Sequence, residues 1–480
     1  MSANGVVADT SGDERVLIIG LDGADWDMIN PLLEQGKLPN LEKLIEKGDR
    51  SNLTSSIPSM SPVAWTTFAT GKNPGKHGVY SFLRKEGNDF VPLTADDITS
   101  EKMWDITSEK DLTSVVINVP MSYPPHEIKG KLISGYLSIE NTTYTYPPSL
   151  QEEIEEKGYK IEALSEGFEP GKEDEFLEEL NETVEKRTEI AVDLMDETDW
   201  NLSVVVYTGL DRLQHYFWKH MEKEDSEYES AIPGHYQKLD RQIVELLEEV
   251  NEDTRVIVMS DHGFGPLKGE VYLNHWLQKE GYLQLEDQGL LERLGLTQQN
   301  LATVLRKIKL FEPMKNLLEF LGLGGAGKAA PKPSYDEINF EETGAFAGNF
   351  GGGIYVTAEN YEEVRNEVKN KLESLENPET GEKFFDEVYK KEEIYQGSML
   401  DEAPDLVVDS ENWDPVGYLG YSMLYSTDIE KSGKHRNEGI LVTDFEIERG
   451  NNSLTDVSPT VLQLLNISTP EGMDGESLLK

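Results

Sequence analysis

The sequence predicts an α/β fold built on a doubly wound, mostly parallel sheet flanked by helices, and three observations predict it. A continuous apolar run at Val16 to Leu21 is followed by similar apolar runs at Ser114 to Val119, Leu202 to Tyr207 and Arg255 to Met259. A strand with one face in water alternates polar and apolar residues, whereas a run that is apolar throughout suits a parallel strand covered on both faces. Helical patterns such as Tyr236 to Val250 separate the runs, and strands alternating with helices give a parallel sheet. Asp22, Asp211, Asp261 and His262 all fall just beyond the carboxyl ends of these runs, where such sheets bind ligands.

The elements follow in order. Val16 to Leu21 closes with "DGAD", a buried strand that delivers a carboxylate at its end, and a helical pattern runs from Met28 to Gly48. "PSMSPVAWTTFATGKNPGKHG" (58–78) reads as a helix entered at Ser61, with Pro62 in the first turn where its missing amide costs nothing. Two stretches interrupt the alternation. Pro147 to Trp200 is rich in acid and helix formers and is expected to form a helical cap. Leu283 to Tyr335 carries helical stretches and then "LGLGGAGKAAPKPS", a Gly, Ala and Pro segment of lid or linker type. Near the end, "TDVSPTVLQLLN" reads as a capped helix. The expected organisation is a flexible tail over 1–14 and one large domain over 15–480, with the cap inserted at about 147–200 and the lid at about 283–335.

Among 480 residues, 44 Lys and Arg face 91 Asp and Glu, and the net charge of -47 is spread along the whole chain. Such a surface repels nucleic acid and anionic membranes, so neither is expected as a partner. It also repels itself, and molar salt relieves this by shortening the Debye length to about 3 Å. Dispersed acid in this excess fits the cytoplasm of a salt-accumulating halophile. Cysteine is absent, which removes disulfides, thiolate ligands and a thiol nucleophile. No apolar run has the length of a signal-peptide core or a membrane span, and a soluble cytoplasmic protein is expected.

The chemistry gathers in fragments far apart in the chain: Asp22, Asp211 with His215, Asp261 with His262, and His435, joined by the hydroxyl of Ser61. Asp and His are the donors that zinc takes, with manganese acceptable, and six of them with an oxygen nucleophile would populate two metal positions. Two ions and a hydroxyl suit in-line displacement at phosphorus, one ion holding the attacking oxygen and the other the leaving oxygen. Taken singly, each fragment has a plainer account. Asp211 and His215 stand four apart and share a helix face, as they also would on a solvated helix. Asp261 and His262 are adjacent, so joint ligation requires the chain to leave the strand, which the glycines of "DHGFG" permit; the alternative is a polar loop. His435 lies between Lys434 and Arg436 in a Gly-bounded loop, the setting of a surface histidine. Ser61 at a helix start has free amides and the positive dipole end to favour a phosphoryl oxygen, and is equally placed to be an N-cap. The other histidines, His77 among them, lack such contexts and read as structural.

In this order, Asp22 in "GLDG", the hydroxyl before "PVAW" with "TGKNPGKHG", Asp211 and His215 in "DRLQH", "SDHGFG", and His435 in "GKHRNEG" resemble the alkaline phosphatase superfamily. Within it, the similarity is to the type I phosphodiesterase and nucleotide pyrophosphatase group, in its prokaryotic branch of phosphohydrolases or phosphomutases. It runs from about residue 15 to 478 through "INVPMSYPP", "APDLVV" and "DVSPTVLQLL". The resemblance implies an alkaline phosphatase-like fold, one metal held by Asp211, His215 and His435, and a second held by Asp22, Asp261, His262 and Ser61. Two departures stand out. Serine replaces the threonine often found as nucleophile, and "PVAWTTFAT" lacks the Asn with which nucleotide-cleaving relatives bind a phosphoryl oxygen.

The expected activity is hydrolysis of a small phosphate ester, diester or monoester, by attack of Ser61 on phosphorus and a phosphoseryl intermediate. Arg212 or Lys434 would meet the remaining phosphate oxygens, the alternative being that each is a solvated base. A phosphomutase or phosphotransferase would use the same residues with another acceptor, and a catalytically silent metal-binding protein would use the metals for folding alone. A sulfatase is disfavoured, because "SPVAW" lacks the x-Pro-x-Arg that follows its modified nucleophile. With His215, His262 and His435 as ligands, activity is expected to fall in acid toward the imidazole value of about 6.5.

Overall fold

The structure is a computed structural model that describes residues 14–135, 142–162, 168–223, 226–286, 335–448 and 450–480. The strands that matter here are β1 (Val16–Leu21), β2 (Asp49–Thr54), β3 (Ser114–Val119), β4 (Gly130–Ser134), β5 (Thr145–Tyr146), β6 (Leu202–Tyr207), β7 (Arg255–Met259), β8 (Gly263–Pro266), β9 (Gly433–Arg436) and β10 (Glu438–Thr443). Eight of them form one sheet in the order β2-β10-β7-β1-β6-β3-β4-β5. From β7 to β4 the neighbours are parallel. β10 pairs antiparallel with both β7 and β2, and β5 antiparallel with β4. The four apolar runs of the sequence are therefore four neighbouring strands of the parallel centre.

Every residue of β1, β3 and β6 is buried, because helices cover both faces. Successive side chains of a strand point to opposite faces, and β1 divides accordingly. Leu17, Ile19 and Leu21 enter a core shared with α1 (Trp26–Glu34), α2 (Pro39–Lys47), α5 (Glu173–Asp196), α6 (Gly209–Met221) and α7 (Ala231–Glu248). Val16 and Ile18 enter a second core with α3 (Ser61–Thr70), α4 (Met103–Glu109) and α8 (Leu454–Leu464). The stretch expected as a helical cap contributes α5 to the layer over the sheet, where Phe176, Leu180, Val184 and Ala191 join the first core. Nearly all of the expected lid, 287–334, lies outside the described residues, as does the tail over 1–13.

The described residues between β8 and β9 build a smaller lobe that the sequence did not signal. Its antiparallel sheet runs Ala345–Ala347, Gly353–Val356, Leu406–Asp409 and Glu387–Lys390, with helix Tyr361–Glu373 against the same apolar core. Strands of three or four residues are too short to display a period. No helix among the described residues is long and apolar enough to cross a membrane.

Candidate active site

The site sits where the parallel strands end. Asp22 follows β1, Asp211 and His215 lie in the first turns of the helix that follows β6, and Asp261 and His262 follow β7. Since β6, β1 and β7 are adjacent, their carboxyl ends bring these residues together whatever their separation in sequence. The sharp exit from β7 that Asp261 and His262 require depends on Gly263. A Cβ at that position would stand 2.1 Å from the Glu438 carbonyl oxygen and 2.2 Å from Asp25 Oδ2. His435 is a strand residue rather than a loop residue: β9 pairs antiparallel with β8 and sets His435 opposite Phe264. The His435 ring stacks on His262 with centroids 3.8 Å apart.

All six predicted ligands converge, with Ser61 beside them. Asp211 Oδ1 lies 2.9 Å from His435 Nε2 and 3.5 Å from His215 Nε2, and these two nitrogens are 3.0 Å apart. His262 Nε2 lies 3.3 Å from Asp261 Oδ2, 3.6 Å from Asp22 Oδ1 and 3.4 Å from Ser61 Oγ. Two triplets have ligand atoms mutually within 4.8 Å, Asp211 with His215 and His435, and Asp22 with Asp211 and His262. Asp211 thus lies between two sets.

The hydrogen bonding shows what these atoms lack. Each imidazole directs Nδ1 at a backbone carbonyl: His215 at Gly433 (3.0 Å), His435 at Ser59 (2.7 Å) and His262 at Gly263 (3.1 Å). A carbonyl only accepts, so Nδ1 carries the proton and Nε2 offers a lone pair. The Nε2 lone pairs of His215 and His435 therefore face each other and the Asp211 carboxylate with no proton between them. Asp22 Oδ1, Asp211 Oδ1 and Asp261 Oδ2 are buried without a hydrogen-bond donor. Acceptors packed against acceptors repel unless a cation sits among them, and an Nδ1–H held by a carbonyl is the usual way a metal-ligating imidazole is oriented. This donor set fits divalent ions. His77 makes the contrast: its Nδ1 accepts from the Val79 amide, its Nε2 meets Thr67 Oγ1, and burial pushes its pKa down to about 3, all consistent with a structural residue.

Ser61 is the first residue of α3 and not its cap, which is Met60 with no side-chain bond to the helix. Its hydroxyl is therefore not committed to capping. One turn on, the fully buried Trp65 donates its indole N–H to Asp22 Oδ2 at 3.0 Å. That bond commits one carboxylate oxygen and leaves Oδ1 for the cluster. The indole fits only because residue 20 is glycine, since a Cβ there would stand 2.4 Å from Trp65 Cη2. Trp65 was missed in the sequence although its i+4 spacing from Ser61 was visible. Trp65→Phe is expected to weaken divalent-metal affinity by about tenfold to a hundredfold, the usual loss when a ligand's outer partner is removed. Competition with a chelating dye measures it, and an unchanged affinity would show the indole to be packing only.

Burial raises the carboxyl groups of Asp22 and Asp261 well above the usual range, and repulsion from neighbouring carboxylates adds to it. Burial pushes His215 down to about 3 and His262 well below its ordinary value. The imidazoles of His215 and His262 therefore stay neutral through mild acid, and the protons that compete with metal beside them belong to Asp22 and Asp261. A carboxyl of raised pKa must lose its proton before it binds a cation, so affinity falls as pH falls. Metal titration in buffers of different ionisation enthalpy is expected to show protons released on loading near neutral pH. Release of none would overturn this account.

The cluster opens into a cleft of about 420 Å³ between the main sheet and the smaller lobe. Phe82, Pro120, Phe350 and Val416 give it apolar walls, and Arg212, Lys431 and Lys434 also line it. Lys434 Nζ donates to the Ser410 carbonyl at 2.5 Å. Arg212 Nε donates to Glu162 Oε2 at 2.8 Å, and Glu162 lines the cleft without any sequence signal having marked it.

Known structures share this architecture. Phosphonoacetate hydrolase from Sinorhizobium meliloti 1021, in complex with phosphonoformate, superposes with a TM-score of 0.61 at 16% identity, covering 94% of this chain and 96% of that one. An inactive murine ectonucleotide pyrophosphatase/phosphodiesterase 5 in complex with AMP gives 0.51 at 16% identity, covering 95% and 96%. Wild-type alkaline phosphatase PafA gives 0.54 at 13% identity, covering 97% and 98%. At such identities the likeness is one of fold. No curated protein matches the chain. The family match, rather than the fold alone, sets the class as a phosphoric-ester hydrolase. The chain belongs to the type I phosphodiesterase / nucleotide pyrophosphatase family, whose profile matches residues 16–439.

Proposed function

We propose that the protein cleaves a small phosphoric ester with Ser61 as nucleophile, using two divalent ions, zinc or manganese, in the cytoplasm of a salt-accumulating cell. The observation that supports it best is the set of buried acceptors facing one another beside the uncommitted Ser61 hydroxyl. Asp211, His215 and His435 would hold one ion, and Asp22, Asp261, His262 and Ser61 the other. When bound, the ions supply Lewis acidity and neutralise the three carboxylates.

The chain's own residues do the rest. Ser61 Oγ gives its proton to solvent and attacks phosphorus in line, forming the P–Oγ bond as the ester P–O bond opposite breaks, and the leaving alkoxide takes a proton back from solvent. First-turn amides of α3 offset the negative charge that gathers at phosphorus. Water then attacks the phosphoseryl group, releasing phosphate or a monoester and restoring the hydroxyl. The apolar cleft walls exclude water from the ester and orient its organic part.

A panel of bis-p-nitrophenyl phosphate, p-nitrophenyl phosphate and nucleotide sugars, in molar KCl with zinc or manganese, tests the reading. Metal-dependent release that chelation stops is expected. Transfer to an added alcohol in place of water would identify a phosphotransferase, and full metal occupancy without turnover of any ester would leave a metal-binding protein.

A further inference from the structure

We propose that Arg212 grips a non-bridging phosphoryl oxygen of the substrate, and that Glu162, pinned by the buried Arg187, is the positioning residue that holds Arg212 in place. The inference rests on the hydrolase reading and deepens it. It answers a question the sequence left open: the helix after Ser61 carries no Asn for this task, and the sequence does not separate Arg212 and Lys434 as phosphate-binding groups from solvated bases.

The structure separates the two. The Lys434 ammonium donates to the Ser410 carbonyl, with the carboxylates of Asp414 and Asp409 compensating its charge, and ties β9 to the end of Leu406–Asp409. Arg212 directly follows Asp211, in the first turn of α6, and lines the same cleft as Ser61. Its Nε donates to Glu162 Oε2, which fixes the plane of the guanidinium at the edge of the cleft. A planar guanidinium of fixed orientation matches the oxygens of a phosphoryl group in a way an ammonium does not.

Glu162 is itself held from behind. Its other oxygen accepts from Thr208 Oγ1 at 2.5 Å. Arg187, 1% exposed, donates through Nη1 to the Val206 carbonyl at 3.2 Å and toward Thr208 Oγ1 at 3.4 Å, and through Nη2 to the Ile161 carbonyl. A buried guanidinium is costly unless its donors are used. These partners give Arg187 a purpose, because they bind the Ile161–Glu162 segment to the end of β6, one turn ahead of the metal-ligating Asp211. The chain Arg187, Thr208, Glu162, Arg212 thus carries the rigidity of the core to one cation in the cleft.

Inorganic phosphate binding to the metal-loaded protein, followed by calorimetry in molar KCl, tests this without requiring turnover. Arg212→Met is expected to weaken phosphate by about tenfold to a hundredfold, the effect of one lost charge-assisted bond, with both metals retained. Arg212→Lys should recover part of it. Glu162→Gln should give a smaller loss alone and no further loss in the Arg212→Met background, because it acts only through Arg212. Phosphate affinity of Arg212→Met within about twofold of wild type would overturn the proposal, as would additive effects of the two substitutions. If no ester is turned over while phosphate binding follows this pattern, the hydrolase reading fails and the anion site stands.

Discussion

Ser61→Ala is expected to reduce turnover of every ester by about three orders of magnitude or more, the scale on which covalent nucleophiles act, while both metals stay bound. The expectation follows from what the hydroxyl does and does not touch. Ser61 Oγ lies 3.4 Å from His262 Nε2 and caps nothing, so its removal costs the helix no bond. All ten residues of α3 are buried, and alanine fits where serine stood. Oγ is one donor among those proposed for its ion, so the remaining Asp22, Asp261 and His262 still present their atoms. Steady-state kinetics, elemental analysis and a melting curve on the same preparation separate the possibilities. Lost activity with two metals and an unchanged melting temperature supports the nucleophile; retention of more than a few per cent of the rate removes Ser61 from that role.

How much of this was legible depends on the length scale of each signal. The four central strands are six, six, six and five residues, apolar apart from Ser114, Asn118, Ser203 and Arg255, enough for burial on both faces to show in composition. The proposed ligands were legible because Asp22, Asp211, Asp261 and His262 follow those strands and the set recurs in a family order. His435 was legible only through that order, since the pairing of β9 with β8 joins residues far apart in the chain and leaves no local mark. The smaller lobe was hidden by strands of three and four residues. Glu162 and Arg187 were hidden for another reason. In a chain with 91 acids, one more glutamate carries no information until the fold places it against Arg212.

The melting temperature is expected to rise steeply between dilute buffer and molar KCl, and chelation is expected to lower it more in dilute buffer than in molar salt. Two terms of different range produce this. The first is the net charge of -47, spread over the surface, which opposes compaction. Exposed pairs such as Lys268 with Glu382 or Lys160 with Glu179 do little against it, since pairs in water contribute at most about 1 kcal/mol each. Molar salt cuts the reach of this repulsion to about 3 Å. The second term is local. Asp22, Asp211 and Asp261 hold buried oxygens without donors, and removing the ions leaves their charges to be relieved only by proton uptake at Asp22 and Asp261. Salt screens a buried cluster poorly, so this part of the loss persists in molar KCl. Metal at a hundredfold excess over its dissociation constant stabilises by about 2.7 kcal/mol per site, and that stabilisation disappears in either buffer. In dilute buffer, stripping the divalent ions also returns negative charge to a surface already repelling itself, and there the two losses add. A two-by-two set of melting curves, with and without chelator at each salt concentration, resolves both terms. Curves indifferent to KCl would overturn the halophilic setting, and equal chelator shifts at the two salt concentrations would show that the site does not feel the charge of the whole molecule.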